Sequence, residues 1–248
     1  QVRWATGWGT SGSEIGRSLA FADDGNLIVV GAGPSETSIQ KFDVLSGSQI
    51  WTKPIGSNSL GVGGKIAVDE IGNIFLTNAF GPSIDVAPGV GTQLIGHGVG
   101  SQSTYLLKLS STADYQWSRV FETLPSSPTY GRSYPKDIAV DSNGNVIVSG
   151  YYKGAVDFNP SASDYYQLPE EGGSFIAKFD TSGDFLWVQP TEVSNVIVVD
   201  EADNIYAFAS SAISLDSAGQ LRWASQLTDA VGYEVTVSGV SIDAQDRV

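Results

Sequence analysis

Apolar residues fall along this chain in short β-rich runs of Ile, Val, Leu, Phe and Tyr, broken at close intervals by turns of Gly, Asn, Asp and Ser. Residues 138–150, IAVDSNGNVIVSG, set the type: an apolar run, a polar reversal, and a second apolar run. Gly or Asn in such a turn supplies the positive φ that a tight hairpin reversal needs. The same pattern returns at 18–31, 65–78 and 195–208, and in part at 240–248, with Asn26, Asn73, Asn145 and Asn204 at one turn position. A second hairpin pattern follows each complete copy, at 39–52, 106–118, 176–188 and 213–224, closing on Trp51, Trp117, Trp187 and Trp223. Trp4 resembles a fifth closing residue.

Two hairpins per unit predict four antiparallel strands, A-turn-B, loop, C-turn-D, which is the organisation of a β-propeller blade. The fold class is all-β, with blades expected at about 18–54, 65–120, 136–190 and 195–226 and partial blades at 1–10 and 239–248. A natural blade number of six to eight is expected, with this chain part of a longer propeller. Successive Trp residues are 47, 66, 70 and 36 positions apart, so the variation in unit length lies in connecting loops. Near-continuous apolar runs such as 27–30 and 196–199 suit strands covered on both faces. A Trp repeated in every unit reads as packing between blades rather than as an exposed sugar platform.

The turn at Asp141, Asn143 and Asn145 has the opening spacing of a calcium loop. The template fails, because Gly144 stands at position four rather than six and Tyr152 replaces the bidentate Glu at twelve. In the other complete copies Asp24, Ile71 and Ala202 take the middle place, and two of these carry no ligand atom.

Composition narrows the chemistry. The 248 residues carry 13 Lys and Arg against 27 Asp and Glu, a net charge of −14, which disfavours nucleic acid and anionic membranes as partners. No apolar run is long enough for a membrane-spanning helix. Without Cys, and with His97 alone in a Gly-rich stretch, thiol chemistry and multi-His zinc sites are excluded. A catalytic triad would have only His97 to draw on.

The units resemble the SBBP-type bacterial β-propeller repeat. Residues 136–190 carry the likeness most fully, with KDIAVDSNGNVIVSG, VDFNP and GGSFIAKFDTSGDFLW, while 84–94 reads IDVAPGVGTQL. That resemblance implies a secreted or cell-surface protein without general catalytic residues. The segments 39–51 and 213–223 are also similar to quinoprotein (PQQ) propeller repeats, in the part that forms blade scaffold rather than the quinone site.

Long loops converge on the face opposite the short turns, and function concentrates on such loops. There Tyr130, Tyr134, Tyr165, Tyr166 and Tyr233, with Asp164, Glu170 and Glu171, either cover blade edges or stack a protein or polysaccharide ligand. Asp85 and Asp157 open the paired IDVAP and VDFNP segments and either cap a turn or hold a structural calcium with backbone carbonyls. The expectation is a binding or scaffolding module, not an enzyme. The alternatives are a quinoprotein-like propeller and a glycoside hydrolase or lyase using carboxylates such as Glu14, Asp137 and Glu234.

Overall fold

The computed structural model describes residues 4–7, 15–33, 37–56, 64–89, 91–96, 102–124, 131–159, 164–193, 195–229, 232 and 235–242. Blade one is β1 (Ile15–Phe21), β2 (Leu27–Ala32), β3 (Thr37–Phe42) and β4 (Gln49–Ile55). Blade two is β5 (Lys65–Val68) and β6 (Ile74–Phe80), then β9 (Ser103–Leu109) and β10 (Tyr115–Thr123), with the hairpin β7 (Ser83–Asp85) and β8 (Leu94–Gly96) between them. Blade three comprises β11 (Arg132–Val140), β12 (Val146–Lys153), β14 (Gly173–Phe179) and β15 (Phe185–Thr191), interrupted by the two-residue β13 (Val156–Asp157). Blade four is β16 (Val196–Val199), β17 (Ile205–Phe208), β18 (Ser211–Leu215) and β19 (Leu221–Gln226).

In each blade the four strands pair antiparallel in chain order, A to D. The A strands of successive blades touch one another, β1 with β5, β5 with β11 and β11 with β16, so they form the inner wall and the D strands the rim. Three apolar clusters fill the seams between blades one and two, two and three, and three and four. Face-to-face sheets around shared inner strands make this a β-propeller. Among the described residues, 4–7 and 235–242 contain no strand. Trp4 instead lies on blade one, and Val237 donates its N–H to the carbonyl of Ala209 at the end of blade four.

One cross-strand row explains the repeated Trp. Ala20, Ile28, Lys41 and Trp51 stand side by side in blade one, as do Ala67, Phe75, Lys108 and Trp117 in blade two and Ala139, Ile147, Lys178 and Trp187 in blade three. Each row faces the following blade. Trp117 Nε1 and Lys108 Nζ both donate to the carbonyl of Thr181, at 3.1 and 3.0 Å. Trp187 Nε1 and Lys178 Nζ both donate to Ser217 O, at 3.3 and 3.0 Å. Trp4 donates in the same way to Val44 O at 2.8 Å. The rings are therefore half-buried clasps over the next blade's C-D turn, rather than plates in the middle of the apolar seam.

The turn beneath each ring must be bare. A Cβ on Gly183 or Gly219 would come within 3.0 and 2.9 Å of Trp117 and Trp187, and both glycines have positive φ. Blade two departs from this rule, carrying Ala113 at φ 58° beneath the Trp51 position, and among the described residues Trp51 shows no indole hydrogen bond. Lys53 holds that seam by bonding Ala113 O and Asp114 Oδ1, at 3.2 and 2.8 Å.

The A-B turns show why the sequence of Asp141 to Asn145 recurs. Asp141 Oδ1 accepts the N–H groups of Asn143 and Asn145 at 3.0 and 2.9 Å, and Oδ2 accepts Asn145 Nδ2 at 2.9 Å. Asp69 and Asp200 treat Asn73 and Asn204 identically. In blade one the leading position is Ala22, and Asp24 replaces it by bonding both the N–H and the side-chain amide of Asn26. These oxygens are engaged by the turn's own donors, so the stretch is a hairpin closure.

Candidate functional site

Two excursions leave the B-C connections and lap onto the preceding blade. In blade three, β13 pairs with β10, setting Asp157 opposite Glu122 and Val156 opposite Thr123, so the segment adds a fifth strand to the rim of blade two. In blade two, the segment around β7 and β8 bonds Gly89 N to Pro54 O of blade one. An Asp staples each excursion. Asp85 Oδ1 accepts from Ala87 N and Gln93 N, at 3.0 and 2.8 Å. Asp157 Oδ1 accepts from Asn159 N and Tyr166 N, both at 2.9 Å.

This geometry favours the turn-capping alternative for Asp85 and Asp157 over the calcium one. An oxygen receiving two N–H hydrogens faces positive partial charge where a cation would have to sit, and calcium needs six or more oxygens. Among the described residues no group of three His, Cys, Asp or Glu stands together. Asp85 and Asp157 each close a turn through Oδ1. Burial pushes the Asp157 carboxyl above the ordinary Asp value, and its two N–H bonds only partly oppose that shift.

The sequence-expected ligand residues divide between two places. Tyr134 lies in β11, on the inner wall, opposite Tyr151. Asp164, Tyr165 and Tyr166 lie on the blade-three excursion, at the rim. The structure does not bring the two groups together. Tyr130 and Tyr233 lie outside the described residues, as do His97, Glu14 and Glu234. Glu170 and Glu171 are exposed on the excursion's return.

The rim group forms a surface of definite chemistry. Tyr165 is 71% exposed and Tyr166 is 45% exposed, the latter with its ring 5.2 Å from that of Phe185. Beside them a groove of about 590 Å³ is lined by Ser118, Arg119, Glu122, Asn159, Asp184 and Phe185. Arg119 is fixed by bonds to Gly183 O and Ser182 O, at 2.9 and 2.8 Å, and its guanidinium lies 5.3 Å from the Trp117 ring. Sequence reasoning missed Arg119 and the row lysines. The signal for Arg119 was its place two residues after the repeated Trp, where Lys53 stands in blade one.

Asp137 sits on the inner wall. Its Oδ2 accepts the N–H of Ile197 in blade four at 3.0 Å, and its Oδ1 lies 4.0 Å from Lys65 Nζ in blade two. Burial pushes its carboxyl above the ordinary value against those two partners. Ser18 plays the same bridging part from blade one, accepting Ile66 N at 3.3 Å. Asp137 is thus a seam residue, with no second carboxylate beside it among the described inner-strand residues.

No family model matches the chain. It is 27% identical over 172 residues to an uncharacterized WD repeat-containing protein of Acanthamoeba polyphaga mimivirus, a match covering 64% of this chain and 12% of that protein. The propeller is thus a repeat propeller. Among solved structures, a protein of unknown function from Bacteroides caccae aligns with 90% of this chain and 85% of its own, at 12% identity and a TM-score of 0.34. Virginiamycin B lyase from Staphylococcus aureus aligns over 88% of each chain, at 13% identity and a TM-score of 0.36.

Proposed function

We propose that this chain is a non-catalytic binding module of the SBBP kind, acting outside the cell, and that the rim surface of blades two and three receives a polysaccharide. The observation that carries this reading is the exposed Tyr165–Tyr166 pair beside a polar groove. Flat aromatic faces stack on the C–H face of a sugar ring, while groups such as Arg119, Glu122 and Asn159 bond its hydroxyls. Stapling by Asp157 fixes the platform before a ligand arrives, which lowers the ordering cost of binding. A protein ligand would use the same exposed aromatics with a larger footprint.

A glycan array probed with the whole chain tests the proposal. At least one neutral or acidic polysaccharide is expected to bind, and Tyr166→Ala is expected to weaken it roughly tenfold or more, in line with the loss of one stacking anchor. An array without a bound glycan would remove the carbohydrate reading. Turnover of any bound glycan would remove the non-catalytic one.

A further inference from the structure

The seam between blades one and two holds a set of polar atoms that the fold leaves unsatisfied. Ser103 and Tyr105 are fully buried, and among the described residues Ser103 Oγ and the buried Nε of Arg17 have no hydrogen-bond partner, while the Tyr105 hydroxyl has only the side chain of Asn78 beside it, without good bonding geometry. Leaving a buried polar atom unpaired is costly, so a group of poorly satisfied polar atoms in one seam calls for a physical cause.

Their positions converge. Ser103 and Tyr105 are two apart on β9 and share one face of the sheet, opposite Phe80 and Asn78. That face looks toward blade one, because Tyr105 packs in the same apolar cluster as Val30 and Ile39. Arg17 is the extra residue of a β-bulge between Gly16 and Ser18 in β1, a device that re-aims a side chain. Gly64 marks where the two blades meet: a Cβ there would lie 3.6 Å from Asn78 Nδ2 and 3.7 Å from Arg17 Cβ. Asn78 Oδ1 accepts Ala79 N at 2.8 Å, and its amide Nδ2 lies in the seam as the neighbour of the Tyr105 hydroxyl.

The chemistry of this set is that of donors. A guanidinium Nε–H, two hydroxyls and an amide NH₂ are suited to oxygen atoms bearing negative charge. The wider surroundings agree. In a chain of net charge −14, the four inner strands carry Arg17, Lys65, Arg132 and Lys136 against the single carboxylate of Asp137. We infer that the seam of blades one and two, at Arg17, Asn78, Ser103 and Tyr105, is a binding site for the oxyanion group of a small ligand, a carboxylate or a phosphate. This site lies on the inner side of the propeller, apart from the rim surface of Tyr165 and Tyr166.

Thermal melting at constant ionic strength tests it, using chloride as baseline and inorganic phosphate, glucuronate and uncharged glucose as probes. Phosphate or glucuronate, and not glucose, is expected to raise the melting midpoint in a saturable way, and which of the two does so distinguishes the sources. Arg17→Gln is expected to weaken that effect at least tenfold. Ser103→Ala removes only an unpaired hydroxyl, so it is expected to melt normally without anion yet bind it several-fold more weakly. If neither anion shifts the wild-type midpoint, the site does not exist. An unchanged affinity in Arg17→Gln, or in Ser103→Ala should the first variant not fold, overturns it equally.

Discussion

Lys178 holds two blades with one ammonium group. It bonds Asp141 Oδ2 at 2.8 Å within blade three and Ser217 O at 3.0 Å in blade four. The side chains of Lys178 and Asp141 are 4% and 1% exposed, so the pair is buried, whereas in blade one Lys41 pairs with an Asp24 that is 47% exposed. Removing one member of a buried pair strands the other, at about 3–5 kcal/mol, while an exposed pair contributes under about 1 kcal/mol. Asp141→Ala is therefore expected to cost about 3 kcal/mol in urea unfolding. Asp24→Ala should cost no more than about 1 kcal/mol, and Asp141→Asn combined with Lys178→Met should recover much of the larger loss. The pH dependence has a definite sign. Burial acts to raise the Asp141 carboxyl, but the Lys178 and Asn145 bonds outweigh it and hold the carboxyl below its ordinary value. A depressed acid contributes stability that is complete above the unfolded Asp value of about 3.9 and is lost as pH falls through the folded value. The gap between wild type and Asp141→Ala should therefore narrow below about pH 4, and a gap that stayed constant into acid would contradict the pairing.

At the scale of elements, the excursion carrying Tyr165 and Tyr166 is held by backbone donors to Asp157. Asp157→Ala leaves two N–H groups without an acceptor beside a residue that is 5% exposed, at a cost of about 2 kcal/mol. Asp157→Asn keeps an acceptor oxygen and removes a carboxyl that burial already disfavours, so it should melt close to wild type. Cleavage by a protease within 157–168 should rise for the Ala variant alone. Chelation of divalent ions should leave the wild-type midpoint unmoved, and a fall would favour the calcium alternative. The sequence carried the strand pairs and turns because each blade repeats them, which turns a weak local signal into a strong one. It did not carry the path of the excursion: β13 crosses to the rim of blade two through main-chain pairing, which has no side-chain signature. That crossing is what separates Tyr166 from Tyr134. The row lysines were equally hidden, since a Lys alternating with apolar residues in a strand reads as solvent-facing until the neighbouring turn that receives it is known.

For the whole molecule, the order of clasps has a direction, each Trp reaching forward to the next blade. Blade four carries the row in altered form, as Val198, Tyr206, Ser214 and Trp223. Ser214 stands where the other blades have Lys, and Tyr206 bonds Asp200 Oδ2 at 2.9 Å through its hydroxyl, the carboxylate position that Lys178 occupies in blade three. Trp223 is 42% exposed and touches Tyr206, with ring centroids 6.1 Å apart. At the other end of the stack, Leu19 and Phe21 of blade one are 63% and 64% exposed. The seams, not the sheets alone, should therefore determine which Trp matters. Trp117→Ala and Trp187→Ala each uncover a seam and remove an indole bond, and are expected to cost about 2 kcal/mol or more. Trp223→Ala removes a ring that covers no further blade among the described residues, and should change stability by no more than about 0.5 kcal/mol. Urea unfolding of the three variants under one set of conditions measures the contrast. Equal losses for all three would mean that the Trp223 face is covered in solution, and that the stability of the stack does not reside in its forward clasps.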